Sequence, residues 1–426
     1  VDLSPSRIDS KRRANVTLPA FARFCVCTTP LARRAPHAQD HSMPARPFLA
    51  AALALVLAPA FVSVGHAQIA VSANDGKQVL DDGTQVVPAH PSPDSVSLID
   101  LSASPLRIVG EVAAPTSVIG PPSSVAVAPD GSFALVTSAR KIDPANPAAI
   151  VPDDVVSVID LKTRKVTATL RAGAGASGVS INRAGTLALV ANRSEGTVSV
   201  FTLAGGVATP AGKVKVGDPD SSPAMVIFFD GDRRALVSRD HDHKIVQLRV
   251  DGASVTVTPV TLAAGLRPYQ IDTDGPRRFA VSGNIGGGGR DIDTVSLIDL
   301  APSVPRVVDT VSVGLTPEGL KMSPDGRYVA VNVNEGSNLS VKAPGYHLKG
   351  LVQVWRIDGQ KLIKVTEAPV GGWGQGIVWS RDSRRLLVQC MVGQTVEAFA
   401  FDGRQLRHES TLAMPAGPAA IRTAEP

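Results

Sequence analysis

The sequence predicts an all-β protein closed into a ring of repeated sheets, and three observations carry that expectation. Apolar residues alternate with a period of two along most of the chain, one strand–turn–strand unit recurs throughout, and strand patterns at the two ends complete one further unit. The composition agrees: aromatics make up only 4% of the 426 residues, and 38 Gly and 33 Pro supply turns for many short strands. No long stretch repeats at the helical period.

The repeat is clearest from Ser124 to Val136, where an apolar alternation meets Pro129-Asp130-Gly131 and a second apolar run follows. Pro presets φ at the first turn position, Asp bonds its own downstream backbone, and Gly tolerates positive φ. Further copies turn at Gly185, Asp230-Gly231, Asp274-Gly275, Pro324-Asp325-Gly326 and Arg381-Asp382. A third strand follows in each unit, as in 155–161, 197–201, 294–300 and 352–355, and a fourth precedes the next unit, as in 165–170 and 309–313. Turn glycines 131, 185, 231, 275 and 326 are spaced 54, 46, 44 and 51 residues apart, so loops of different length are inserted into one repeat. Six units are complete. A seventh is assembled from both ends: Pro418–Arg422 as first strand, 68–72 as second, 94–101 as third and 107–112 as fourth. A β-sandwich does not explain a repeat that its own termini complete. The expected fold is a seven-bladed β-propeller of four-stranded antiparallel blades, its ring closed by a blade shared between the N- and C-termini.

Leu189-Val190-Ala191-Asn192 with Thr197-Val198-Ser199-Val200, and Pro324-Asp325-Gly326 with Val329-Ala330-Val331-Asn332, resemble bacterial YVTN-type propeller repeats. That family is similar to seven-bladed lactonases of the 6-phosphogluconolactonase type. The resemblance covers roughly residues 68–426 and lies in blade scaffolding. It implies the fold, and it names lactone hydrolysis as one activity to test.

Residues 1–67 read as a leader. Met43 opens a secretory signal over 43–67: Arg46 supplies charge, 48–62 is apolar, and Gly65-His66-Ala67 places small residues at a cleavage site before Gln68. The apolar stretch is short for a membrane span. Residues 1–42 are expected to be an upstream extension, untranslated or disordered. Export to the periplasm or medium is therefore expected. The leader holds 8 of the 43 Lys and Arg and 3 of the 38 Asp and Glu, which leaves 35 of each in 68–426. The net charge of +5 belongs to the leader, so no nucleic-acid partner is expected, nor any membrane span after cleavage. Cys25 and Cys27 go with the leader, and Cys390 alone forms no internal disulfide. A monomer is expected.

In a propeller, the turns of the first hairpins share one face. The second-to-third connections and the lead-ins to first strands share the other. Here the former are short and alike, while the latter are long and individual at 140–154, 284–293 and 332–350, so the functional face is expected at that mouth of the channel. The candidate ligand-binding residues there are Arg239, Asp240, His241, Arg267, Tyr269, Asn284, Glu318, His347, Trp373 and Gln375. A carboxylate, a histidine and an arginine around one pocket can activate water and steady an oxyanion. For a hydrolase the assignment is Glu318 or His241 as base and Arg267 as anion anchor. His241 and His243 form the one pairing that suggests a metal, without a second ligand cluster, and they read as a solvated loop. The glycines at 286–289 lack a phosphate-loop pattern, and Asn192 and Asn338 match a glycosylation sequon by chance. Trp355 and Trp379 read as core. No cofactor is predicted. The first expectation is an exported binding or interaction module that takes a small molecule or a protein at the mouth. The alternative is a lactone hydrolase, and the second alternative is a relative of quinone- or haem-partnered oxidoreductases.

Overall fold

The computed structural model describes residues 68–273, 278–288 and 291–425. The expectations for residues 1–67 lie outside these. Seven four-stranded antiparallel sheets make the blades of a propeller. Blade 1 comprises Val125–Val127, Phe133–Asp143, Asn146–Asp160 and Lys165–Arg171. The first strands of blades 2 to 6 are Ala176–Ile181, Pro223–Phe229, Pro268–Thr273, Pro317–Met322 and Gly374–Trp379. Blade 7 pairs Gly417–Thr423 from the C-terminal end with Ile69–Asp75, Ser95–Asp100 and Arg107–Ala113 from the N-terminal side. The split seventh blade is thus present as the sequence predicts. First strands neighbour one another around the ring, and that of blade 7 meets that of blade 1.

Alternation along the strands places apolar side chains on both faces of each blade, and those faces pack between blades. Phe133, Leu135 and Val156 of blade 1 pack on Val179, Val190 and Phe201 of blade 2. Val71, Val96 and Ala420 of blade 7 pack on Val125, Val136 and Ile159 of blade 1. Each fully buried Val, Leu or Phe contributes about 1.5–3 kcal/mol, so stability is distributed over the seams of the ring. Trp355 and Trp379 are buried in this core, as is Cys390, whose thiol is pushed far up by burial.

The Asn at the end of the second strand has a structural task. Asn192 Nδ2 donates to Thr197 Oγ1 at 2.8 Å and to Ser199 Oγ at 2.9 Å, while its Oδ1 accepts from Gly173 N at 3.0 Å. Asn74 and Asn284 donate in the same way to Ser95 and Ser97, and to Thr294 and Ser296. The recurring Asn together with the Thr-Val-Ser pattern is therefore a staple between second and third strands.

One connection on the face expected to carry the site differs from the sequence reading. Residues 140–154 are not an irregular loop: the second and third strands of blade 1 extend past the sheet as a hairpin, with Lys141 opposite Val151 and Ile142 opposite Ile150. The pairing runs out to Asp143 opposite Asn146, with breaks in register at Ser138/Arg140 and Ile142/Asp143. Between Asp75 and Ser95 a small hairpin, Val79–Asp81 with Thr84–Val86, rises from blade 7.

Candidate functional site at the channel mouth

Five blades turn into the first strand in the same way. The residue immediately before the strand is left-handed at Gly175, Ser222, Arg267, Thr316 and Trp373, with φ of 76, 51, 55, 57 and 48°. Four of these are not glycine, and each such position costs about 1 kcal/mol or more. Directly after the second strands come Arg193, Asp240, Ile285, Asn334 and Met391, with Arg140 at the register break of blade 1. These two sets of positions build the mouth.

Asp240 is the hub of its polar side. It is fully buried, and its Oδ2 meets Arg193 Nη2 at 2.8 Å and Arg267 Nη2 at 3.5 Å. The Arg193 guanidinium lies 5.5 Å from the centroid of the buried Tyr269 ring, a cation–π contact. Asn334 Nδ2 donates to Glu318 Oε2 at 3.4 Å. Residues of blades 2, 3, 4 and 5 thus converge on one spot. Two guanidiniums face Asp240 and Glu318 there, so the pocket is short of negative charge while Glu318 is protonated.

Burial pushes the Glu318 carboxyl up to about 7, a rise that Arg267 and Arg193 counter and Asp240 reinforces. Glu318 therefore exchanges its proton near neutrality. Burial, then the Glu318 carboxylate, drives the Tyr269 phenol well above its usual range, so it stays a hydrogen-bond donor. Burial opposes the charge of Arg193, but the Asp240 carboxylate holds that guanidinium firmly protonated. Arg140 is held below the usual guanidinium range by burial and then by the neighbouring Arg193 charge, and its side chain makes no ion pair among the described residues. Arg193 Nη1, Arg267 Nε, Asn334 Oδ1 and both amide atoms of Gln375 are buried without a hydrogen-bond partner among the described residues. Unpaired polar atoms cost free energy when buried, which makes this part of the mouth the candidate site.

The other half of the mouth is apolar and covered. The linker from blade 7 into blade 1, residues 114–124, has no regular structure and is almost entirely buried. Val118 packs with Trp373, Met391 and Ala419, joined by Ile119 and by Leu80 of the small hairpin. Gly120 has φ of 107°, and a methyl group there would collide with Ser177 Oγ. Pro122 Cγ would stand 3.3 Å from a methyl on Gly319. The linker therefore lies across the mouth as a plug, meeting blades 2, 5, 6 and 7.

Of the sequence-predicted residues, Asp240, Arg267, Tyr269 and Glu318 are brought together. Gln375 is fully buried near them, its backbone carbonyl accepting from Asn332 Nδ2 at 3.1 Å. Trp373 lies under the plug rather than in the polar pocket. His241 is half-exposed, with Nε2 3.3 Å from Asp240 Oδ1 at the rim. Arg239 turns away, its Nε donating to Asp242 Oδ1 at 3.1 Å. Asn284 is spent on its blade, and His347 sits on the outer loop with Nδ1 2.9 Å from Glu335 O. Residues 240–243 form a tight turn rather than an extended strand, and His243 Nδ1 accepts from Arg267 N at 3.2 Å. No group of three or more His, Cys, Asp or Glu able to hold a metal ion occurs among the described residues. Sequence reasoning missed Arg140, Arg193, Asn334 and the plug. For the first three a signal exists: each lies at or just beyond the end of a second-strand core, as Arg239, Asp240 and Asn284 do.

No family model matches the chain, and no curated protein matches it. Solved structures do. A candidate 6-phosphogluconolactonase from Bacteroides fragilis aligns with a TM-score of 0.63 at 16% identity, covering 85% of this chain and 99% of that one. A second, from Bacteroides uniformis, gives 0.64 at 16%, covering 84% and 100%. The periplasmic gluconolactonase of Pseudomonas aeruginosa gives 0.59 at 16%, again covering 84% and 100%. Hydrazine synthase of Kuenenia stuttgartiensis also aligns, at 0.57 and 15%, over 73% of this chain and 94% of that one. At such identities the likeness is one of fold. This chain is a seven-bladed propeller with lactonase-like structural neighbours.

Proposed function

We propose that the protein binds a small anionic, hydroxyl-rich molecule, of the sugar-acid kind, at the polar side of the channel mouth. The observation that carries this is the pair Arg193 and Arg267 on the buried Asp240 carboxylate, with donor edges of both unpaired and the Arg140 charge close to Arg193. The guanidiniums take the anionic group, and Gln375, Asn334 and Tyr269 take hydroxyls. The lactonase-like neighbours support the ligand class, because a sugar acid is the product of opening a sugar lactone.

A second reading, hydrolysis of such a lactone, is favoured by one observation: Glu318, with its pKa near 7, stands beside two guanidiniums. As a base Glu318 would take a proton from water while Arg193 or Arg267 steadies the oxyanion. His241, half-exposed at the rim, fits that role less well. We also retain the YVTN-type repeat, which the Asn staples support, and export through cleavage before Gln68.

The test is a panel of sugar acids and sugar or aromatic lactones offered to the purified chain, with calorimetry for binding and pH-stat titration for turnover. Saturable sugar-acid binding that Arg193→Gln weakens about tenfold or more, without turnover, supports the binding reading. Turnover lost in Glu318→Gln supports the hydrolase. A folded chain that neither binds nor turns over any of them contradicts both.

A further inference from the structure

A second polar cluster lies at the opposite end of the channel, where the first strands end at the short hairpin turns. A cavity of about 70 Å³ sits there, lined from six blades. That is room for a few water molecules or one small oxyanion. Its charged lining includes Asp272, Lys321, Arg422 and Glu425.

The pairing in this cluster is lopsided. Lys321 Nζ binds both Asp272 oxygens, at 2.9 and 3.0 Å, and also Glu425 Oε1 at 2.6 Å. Asp272 Oδ2 accepts from Met322 N at 2.8 Å as well. Lys321 thus holds the two carboxylates. Arg422, only 6% exposed, donates Nη1 to the carbonyl of Ile421 at 3.1 Å, and its Nη2 is buried without a partner among the described residues. An arginine kept only to cement blades would take one of those carboxylates. The Asp272 charge is felt at Arg422 without a hydrogen bond between them, and a buried guanidinium with one backbone bond is expensive unless an acceptor meets its free edge.

We propose that this cavity is a binding site for a small oxyanion, a carboxylate or inorganic phosphate, held by Arg422 and Lys321. Glu425, half-exposed near the chain end, competes as an internal ligand of Lys321. The site is separate from the mouth pocket and does not depend on the function proposed there.

The experiment is calorimetric titration of the full chain with inorganic phosphate, then with acetate as competitor. Saturable phosphate binding is expected, weakened about tenfold or more in Arg422→Gln. Displacement by acetate identifies a carboxylate ligand, and indifference to acetate a tetrahedral oxyanion. Should Arg422→Gln fail to fold, Glu425→Gln decides: removing the competing carboxylate is expected to tighten phosphate binding several-fold. No saturable binding, or phosphate binding unchanged in both variants, overturns the proposal. So does binding that Arg193→Gln abolishes, which would place the anion at the mouth.

Discussion

Glu318 shows how much one burial can decide. Its carboxyl is raised from 4.5 to about 7 because the ring of blades strips water from it more than Arg267 and Arg193 compensate. The protonated form is thus the one the fold favours. Its contribution to stability is fully present below the unfolded value and is lost as pH rises through about 7. Glu318→Gln should therefore leave the melting temperature little changed near pH 4.5 and raise it progressively to a plateau above pH 7, as a pH series of thermal melts will show. Asn192 is the structural counterpart. Asn192→Ala removes bonds to Thr197, Ser199 and Gly173 and should cost about 1–3 kcal/mol in denaturant unfolding. The sequence made such residues visible in unequal measure. Asp240 and Glu318 stand out as charges beside Gly and Pro, whereas Arg193 follows a staple Asn inside a chance sequon and draws no attention. The staple role of Asn284 is evident only when second and third strands lie side by side.

At the scale of elements, strands were legible and connections were not. Alternation and Pro-Asp-Gly turns are local, so they survive in one dimension. The plug is a set of long-range contacts made by a segment with no periodicity: Val118 with Trp373, and Pro122 close to Gly319. Nothing in the run 114–124 distinguishes it from a surface loop. The hairpin at 140–154 was hidden differently, because Pro144, Pro147 and Pro152 look like loop residues. Gly120 is the point at which the plug is most exposed to test. With φ of 107° and Ser177 pressed against it, Gly120→Ala should destabilise the protein by about 1–3 kcal/mol. It should also loosen the seal over the channel, read as faster hydrogen exchange in 114–124 than in the blades.

For the whole molecule, closure is the organising fact. The first strand of blade 7 comes from the C-terminal end and the other three from the N-terminal side, so the ring is held shut by pairings such as Ala73 with Ala420 and Val71 with Arg422. Deleting residues 417–426 should open two inter-blade seams at once. Unfolding should then lose cooperativity and begin at a lower denaturant concentration, measured by following tryptophan fluorescence and far-ultraviolet circular dichroism on the same samples. This closure was readable from sequence because the orphan strands at each end matched the missing members of one unit. The function was not readable to the same depth, because the mouth draws one or two residues from each of several blades and no linear motif records their meeting.

The central claim is that Arg193, Arg267 and Glu318 form one anion pocket whose charge turns on Glu318. The measurement that tests it most directly is the affinity for a sugar acid such as gluconate between pH 5.5 and 8.5, in the native chain and in Glu318→Gln. Ionisation of Glu318 adds a negative charge beside the anion, so native affinity should fall as pH rises through about 7, while that of the variant should stay flat. Identical pH profiles in the two proteins, or binding that survives Arg193→Gln undiminished, would contradict the account.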